Sequence, residues 1–369
     1  MNLTLAFALA LSTSGPGPQA NATDLLARTV ESVMAEKRIP GVVVGILRGD
    51  ELVERRAFGL AEVDGERSMT PEHLFQVGSV TKPFTATLAA SLIDEGLLDP
   101  DAPIGPWFPD EVELPNAIGS LTVRQLASHS SGLPREPVNR RNLPDSPSVM
   151  LPYSTSDLYA GLAVTQLETR PGATWSYSNL GYAVLGHVVE LASKRKYGAL
   201  LADRILRPLG MDRSGVHPTP SQERAMATHY WPEDGEHVAR PRWMMGEIAG
   251  FCGVFSDLDD LALFAAAQYD SSADALLTDS AREFLHRAVI EVDPAQARSM
   301  AAGWFVTSFP GVGEILGHGG EVDGHSSCVA ILPGARAGLI VLANTGGDAA
   351  EKLCVALMQG VLPQLLAGR

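Results

Sequence analysis

Ser79-Val80-Thr81-Lys82 sets a hydroxyl and an amine three residues apart. On a helix, positions i and i+3 share a face, so the amine can reach the hydroxyl. A serine at a helix start also lies beside unpaired backbone N–H groups and the positive end of the dipole. Those features suit a nucleophile and one half of an oxyanion hole. Pro83 supports this placement, because proline is tolerated only near a first helical turn.

The pattern alone is weak, since a chain of ordinary composition holds roughly one S-x-x-K by chance. Ser193-Lys194-Arg195-Lys196 fits it too. That copy falls at the basic C-terminal end of a helical pattern, where a solvated helix end is the plainer reading. Ser79 stands out through its company. Tyr177-Ser178-Asn179 opens a second helical pattern after the turn signal Pro171-Gly172, and His318-Gly319-Gly320 lies between late strand signals.

The elements that must position these groups fall in three blocks. Leu25 to Lys37 reads as an amphipathic helix. Val42 to Leu47 and Leu52 to Leu60 read as a hairpin turning at Gly49-Asp50. Helical patterns then run over Ser79 to Leu97, Val123 to His129, Thr155 to Thr169, Asn179 to Lys194 and Tyr197 to Leu206. Strand signals return at Gly303 to Ser308, Ser327 to Leu332 and Gly338 to Ala343, and Asp348 to Leu366 reads as a closing helix. The expected architecture is α+β: one antiparallel sheet built from both chain ends, covered by helices. Residues 24–78 and 246–369 would form that part. Residues 79–245 would form an inserted, mostly helical domain, with the site in the cleft between.

The stretches LFQVGSVTKPFTATLAASLIDEGLLDPDAPI, LTVRQLASHSSGLP, WSYSNLGYAVLGHVVE and GHGGEVDGHSS resemble the serine β-lactamase and D-alanyl-D-alanine peptidase superfamily. The nearest branch is the class C β-lactamase-like group, with its carboxypeptidases, D-aminopeptidases and esterases. The likeness runs from about Leu25 to the C-terminus. It implies a β-lactamase/transpeptidase-like fold and an acyl-enzyme on Ser79. Lys82 would hold or remove the serine proton, and Tyr177 would share the general-base role. Asn179 would orient Lys82 and bond the substrate. The backbone N–H groups of Ser79 and Glu321 would form the oxyanion hole. The third motif departs from the pattern. Where β-lactamases of this group usually carry K-T-G, this chain has His318, Gly319 and Gly320. An imidazole largely neutral near pH 7 replaces an ammonium, and a hydroxyl is missing. That moves the expectation from an efficient β-lactamase towards an esterase or peptidase. Glu321 would disfavour anionic substrates if its side chain faced the cleft.

Other residues carry plainer readings. His129 and Gly132-Leu133-Pro134 read as turn and cleft wall. Tyr153-Ser154-Thr155 resembles a variant second motif but sits in a proline-rich loop, without the helix that follows Tyr177. Trp175 and Trp304 read as core or cleft-lining residues. His217, His229 and His237 lack metal-binding spacing, so no metal or cofactor is expected. Gly324-His325-Ser326-Ser327 falls short of a nucleophile elbow, and no histidine follows it to complete that order. A different class of function, a penicillin- or peptidoglycan-recognising sensor with little turnover, is the alternative. Intact Tyr177 and Asn179 argue for turnover.

The formal net charge of −15 over 369 residues argues against nucleic acid or an anionic membrane as the main partner. With 45% apolar and 19% charged residues the chain can bury a large core. Cys252, Cys328 and Cys354 form no disulfide framework and read as small core residues. Leu3 to Leu11 is an apolar run of signal-peptide length, and Ala20-Asn21-Ala22 would serve as a cleavage site. Residues 1–22 are therefore expected to be a leader, with a periplasmic or secreted product, although the run has no basic residue before it. Without a working leader the product would be cytoplasmic. Substrates would be small esters, amides or peptides.

Overall fold

A computed structural model describes residues 22–143, 146–150, 152–272, 275–309 and 313–367. The expected leader lies outside them except for Ala22. The elements that frame the site, in chain order, are α1 (Ala22–Lys37), β1 (Gly41–Arg48), β2 (Glu51–Glu62), β3 (Arg67–Ser68), α2 (Thr81–Asp94), α3 (Asn179–Ser193), α4 (Leu258–Ala267), β4 (Ile290–Asp293), β5 (Arg298–Met300), β6 (Phe305–Phe309), β7 (Gly313–Val322), β8 (His325–Leu332), β9 (Ala337–Ala343) and α5 (Ala349–Gly360). A nine-stranded sheet runs β4-β5-β6-β7-β8-β9-β1-β2-β3. β1 pairs with both β2 and β9, so strands from the two chain ends meet inside the sheet.

Alternation of side chains divides the sheet into two buried faces. On β1, Val43 and Leu47 join the large core, while Val42, Val44 and Ile46 face the other way. On β9, Ile340 and Leu342 join the large core, and Leu339 and Val341 the smaller one. Both faces are covered, so these strands read as near-continuous apolar runs. The smaller core is closed by α1 and α5 through Leu26, Val30, Leu353 and Leu357. The larger core holds α2, and Phe84 of α2 stacks on Phe264 of α4 at 3.7 Å between ring centres. Almost every residue of α2 is buried, so its apolar surface runs all round rather than along one stripe. Each of its fully buried Leu or Phe side chains contributes about 2 kcal/mol of hydrophobic stabilisation.

Three expectations need correction. The sequence showed no strand over Gly313–Val322, yet β7 is there and carries the third motif. Gly313, Gly317, Gly319 and Gly320 remove the β-branched and aromatic residues by which a strand is recognised. The closing helix is two helices: α5 stops at Gly360, and Leu362–Ala367 follows. Pro363 cannot donate a backbone hydrogen bond and so cannot sit inside a continuous helix. The helix expected over Thr155 to Thr169 is present but stops at Val164, and with Ser154 as its cap it follows Tyr153 directly.

Candidate active site

The turn before α2 is built around one glycine. Gly78 has φ +52°, a conformation that favours glycine, and opens a single 3-10 turn over Gly78–Val80. A Cβ at Gly78 would lie 2.5 Å from the backbone nitrogen of Glu321. Only a bare glycine therefore lets this turn meet β7. The turn is held from behind as well: Val77 N–H donates to Val254 O at 3.0 Å, and Val254 N–H donates to Thr81 Oγ1 at 3.0 Å. β6 pairs with β7 only as far as Gly317, which leaves the edge of β7 beyond it for the turn to face. Gly320 allows the same approach, since a Cβ there would lie 2.0 Å from Val77 O. The backbone nitrogens of Ser79 and Glu321 are thereby drawn to one end of the cleft.

Lys82 lies one turn beyond Ser79 and is 0% exposed. Its Nζ donates to Ser79 Oγ at 3.0 Å, Asn179 Oδ1 at 2.9 Å and Phe251 O at 2.9 Å. The rings of Tyr177, Tyr182 and Phe251 surround it, with centres 4.8, 5.6 and 5.7 Å from Nζ. Burial pulls the Lys82 ammonium down to about 7. The other two acceptors decide where its lone pair goes. A carbonyl oxygen and an amide oxygen can only accept, so both keep N–H protons of the neutral amine. The free lone pair then faces the Ser79 hydroxyl.

Asn179 presents oxygen rather than nitrogen to Lys82 because of Glu136. The Asn179 amide donates to Glu136 Oε1 at 2.7 Å, and Glu136 Oε2 pairs with Arg140 at 3.2 Å. A carboxylate accepts only, which sets the orientation of the amide. Sequence reasoning missed Glu136. Its signal was its place two residues after Pro134, just beyond the Gly132-Leu133-Pro134 stretch read as cleft wall.

Tyr177 precedes α3, whose cap is Ser178. The Ser178 hydroxyl accepts from Gly181 N–H at 2.8 Å and donates to Pro134 O at 2.7 Å. His129 has a structural part that its sequence context undervalued. It is fully buried with φ +55°, and its ring stacks on Tyr177 at 4.3 Å between centres. Its Nδ1 accepts the Ser178 N–H at 3.0 Å, and its carbonyl accepts the Ser176 N–H at 2.8 Å. Burial pushes the Tyr177 phenol upward, opposed by a hydrogen bond to Ser79. The phenol is therefore neutral near pH 7, and Lys82 is the more available base of the two.

His318 projects from β7 towards this cluster, with its ring centre 6.3 Å from that of Tyr177. Burial pulls it down to about 3, so it is neutral. Its Nδ1–H donates to Gly319 O at 2.6 Å, which leaves Nε2 as an acceptor with no partner among the described residues. Gly319 faces the opposite side of the sheet, where the Glu351 carboxylate of α5 fills the space a side chain would need. Glu321 is exposed, and its Oε1 accepts from Gly347 N–H at 3.0 Å.

The remaining candidates fall elsewhere. The Tyr153 hydroxyl bonds to Asn139 and to Asp157 O, away from Ser79. Trp175 packs edge-on against Tyr177 and Phe305 as a cleft wall, while Trp304 is fully buried beside Phe264. His325 stacks on His229 at 3.6 Å in the interior and accepts the Gln76 N–H at 3.0 Å. Among the described residues no His, Cys, Asp and Glu cluster could hold a metal ion.

Comparison with known proteins bears on the fold and the family. The structure superposes on a class C β-lactamase from Rhodobacter sphaeroides with a TM-score of 0.77 at 22% identity, covering 93% of this chain and 100% of that one. A β-lactamase from Sulfitobacter sp. EE-36 gives 0.78 at 23% identity, covering 95% and 100%. The octameric penicillin-binding protein homologue from Pyrococcus abyssi gives 0.77 at 25% identity, covering 92% and 78%. Among curated sequences, the unguisins hydrolase ungD' of Aspergillus campestris is 26% identical over 332 residues, which is 86% of this chain and 61% of that protein. Protein flp of Staphylococcus aureus is 22% identical over 330 residues, 88% and 64%. The chain thus spans about three-fifths of the length of these curated relatives. The Beta-lactamase family model matches residues 26–357, a span that takes in Ser79, Lys82, Tyr177, Asn179 and His318, and the chain belongs to that family.

Proposed function

We propose that the chain is a serine hydrolase that cleaves small esters or amides through an acyl-enzyme on Ser79. The observation that carries this reading is the environment of Lys82: a fully buried amine within hydrogen-bond reach of Ser79 Oγ and of two oxygens that can only accept. Lys82 takes the Ser79 proton as Oγ attacks the substrate carbonyl carbon. The carbonyl π pair moves to oxygen, where the N–H groups of Ser79 and Glu321 stabilise it. Collapse of the tetrahedral intermediate breaks the bond to the leaving group. The proton held by Lys82 passes to that group through the hydroxyl of Tyr177, whose ring packs against Lys82. A water then attacks the acyl-enzyme, its proton returns along the same path to Ser79, and a carboxylic acid leaves. The preference is for esters or D-peptides over β-lactams, because the third motif offers a neutral imidazole and no hydroxyl.

A panel of p-nitrophenyl esters, D-alanyl peptides and a chromogenic cephalosporin, compared by kcat/KM, tests this reading. Short-chain esters should be cleaved, and Ser79→Ala should lower kcat on the order of 10⁴-fold and abolish fluorophosphonate labelling. Wild-type esterase activity in Ser79→Ala would overturn the mechanism. A stoichiometric burst with no later product would favour the sensor.

A further inference from the structure

We propose that Ser327 is a positioning residue that sets the spacing of the two oxyanion-hole N–H groups in the hydrolase described above. This rests on that functional reading and names a further part of the same site. Val77 immediately precedes the Gly78–Val80 turn, and its carbonyl oxygen accepts two hydrogen bonds. One comes from Val80 N–H at 3.1 Å and closes the turn on which Ser79 rides. The other comes from Ser327 Oγ of β8 at 2.7 Å. A carbonyl only accepts, so the Ser327 hydroxyl is the donor. Ser327 and Val77 are both fully buried, which seals this bond from solvent.

The sheet gives the hydroxyl its reach. Ser327 lies opposite Gly320 in the β7–β8 ladder, and paired residues present their side chains on one face. Gly320 has no side chain, and a Cβ there would lie 2.0 Å from Val77 O and 2.4 Å from Ser327 Oγ. The hydrogen bond therefore passes through the space that a side chain at residue 320 would fill. Glu321, whose N–H completes the hole, is the next residue of β7 and pairs with Ser326 of β8. β8 thus holds the strand that carries the Glu321 N–H, and its Ser327 grips the turn that carries the Ser79 N–H. One hydroxyl ties the two halves of the hole together. The chain around it is anchored separately. His325, two residues back on the same face of β8, accepts Gln76 N–H on Nδ1 at 3.0 Å and donates from Nε2 to Ala227 O at 3.0 Å. Loss of the Ser327 hydroxyl leaves the N–H groups of Gln76 and Val77 bound to His325 and Val254, and loosens only the Val77 carbonyl.

The test compares Ser327→Ala with Ser327→Cys, which keeps the shape and offers a weaker donor. On p-nitrophenyl acetate, Ser327→Ala should lower kcat about tenfold and change KM by less than about twofold, because acylation and deacylation both pass through an oxyanion. Ser327→Cys should lower kcat about threefold. Phenylboronic acid, whose boron takes the Ser79 oxygen and becomes tetrahedral and anionic, should bind more weakly by the same factors. The acid limb of the kcat/KM profile should not move, since Lys82 keeps its three acceptors. A hydroxyl that merely fills the interior would change resistance to denaturant and leave kcat and boronate affinity alone. In Ser327→Ala, kcat within about twofold of the wild type, unchanged boronate affinity or a moved acid limb would overturn the proposal. If Ser327→Ala does not fold, Ser327→Cys decides alone, and wild-type kcat and boronate affinity in it overturn the proposal. Wild-type protein that is neither labelled at Ser79 by a fluorophosphonate nor active on the ester refutes the functional reading and this one with it. A labelled, active wild type with unchanged Ser327 variants refutes the positioning alone.

Discussion

Ser79 with Lys82 and Ser193 with Lys196 share one four-residue pattern and no chemistry. Lys82 is sealed from water among three rings, whereas the Lys196 side chain is 71% exposed and lies 3.6 Å from Glu247. The Ser193 hydroxyl bonds back to Val189 O at 2.7 Å within its own helix. α3 ends between the two residues, with Lys194 at φ +55°, so the i, i+3 geometry is broken there. Around Ser79 the chain continues from a 3-10 turn straight into α2, and the geometry holds. Spacing brings a lysine near a serine only where the helix continues, and burial decides whether that lysine can act as a base.

The largest test of this contrast removes the buried amine. Lys82→Met should lower kcat/KM on the order of 10³-fold on a short ester. In the wild type, kcat/KM should rise through an apparent pKa near 7, where Lys82 loses its proton. The same change should stabilise the fold. The folded state releases the lysine proton near pH 7, whereas the unfolded chain keeps it up to about 10.4. The penalty for the buried charge is therefore full below pH 7 and fades as pH rises towards 10. Chemical denaturation should find Lys82→Met more stable than the wild type on the order of 3 kcal/mol at pH 6, with little difference at pH 10. An equal difference at both would show that the amine is not desolvated.

A smaller effect concerns the group that orients Asn179. Glu136→Gln supplies a side chain that both donates and accepts, so Asn179 is no longer forced to turn its oxygen to Lys82. We expect about a tenfold fall in kcat. The acid limb of the pH profile should also move downward, since the lost negative charge no longer supports the Lys82 ammonium. An unmoved limb would reduce Glu136 to packing. The smallest effect belongs to the exposed copy. Ser193→Ala and Lys196→Met should each leave kcat/KM within about twofold of the wild type, as surface changes usually do.

Ser79 and Lys82 were legible through Pro83 and the family resemblance, and Tyr177 and Asn179 through the turn signal Pro171-Gly172 ahead of a helical pattern. The hairpin and the late strands β8 and β9 were legible for a similar reason: their apolar runs are long and bounded. β7 was not legible, since Gly319 and Gly320 are required by the close approach of Glu351 and Val77 rather than by any strand preference. Glu136 and His129 were hidden differently. Each acts through a partner distant in sequence, and nothing in a loop of Ser, Gly and Pro says which partner that is.

Gly319 has a consequence for the history open to this chain. A Cβ at that position would lie 1.7 Å from Glu351 Oε1, far closer than two unbonded atoms can approach. A threonine at residue 319, as in the Lys-Thr-Gly of β-lactamases, therefore requires the Glu351 carboxylate to move. Glu351 must swing away or shorten to accommodate a threonine, so the side chain allowed at residue 319 is coupled to the conformation of residue 351. The third motif is held in its present form by a helix that lies on the far side of the sheet from the nucleophile.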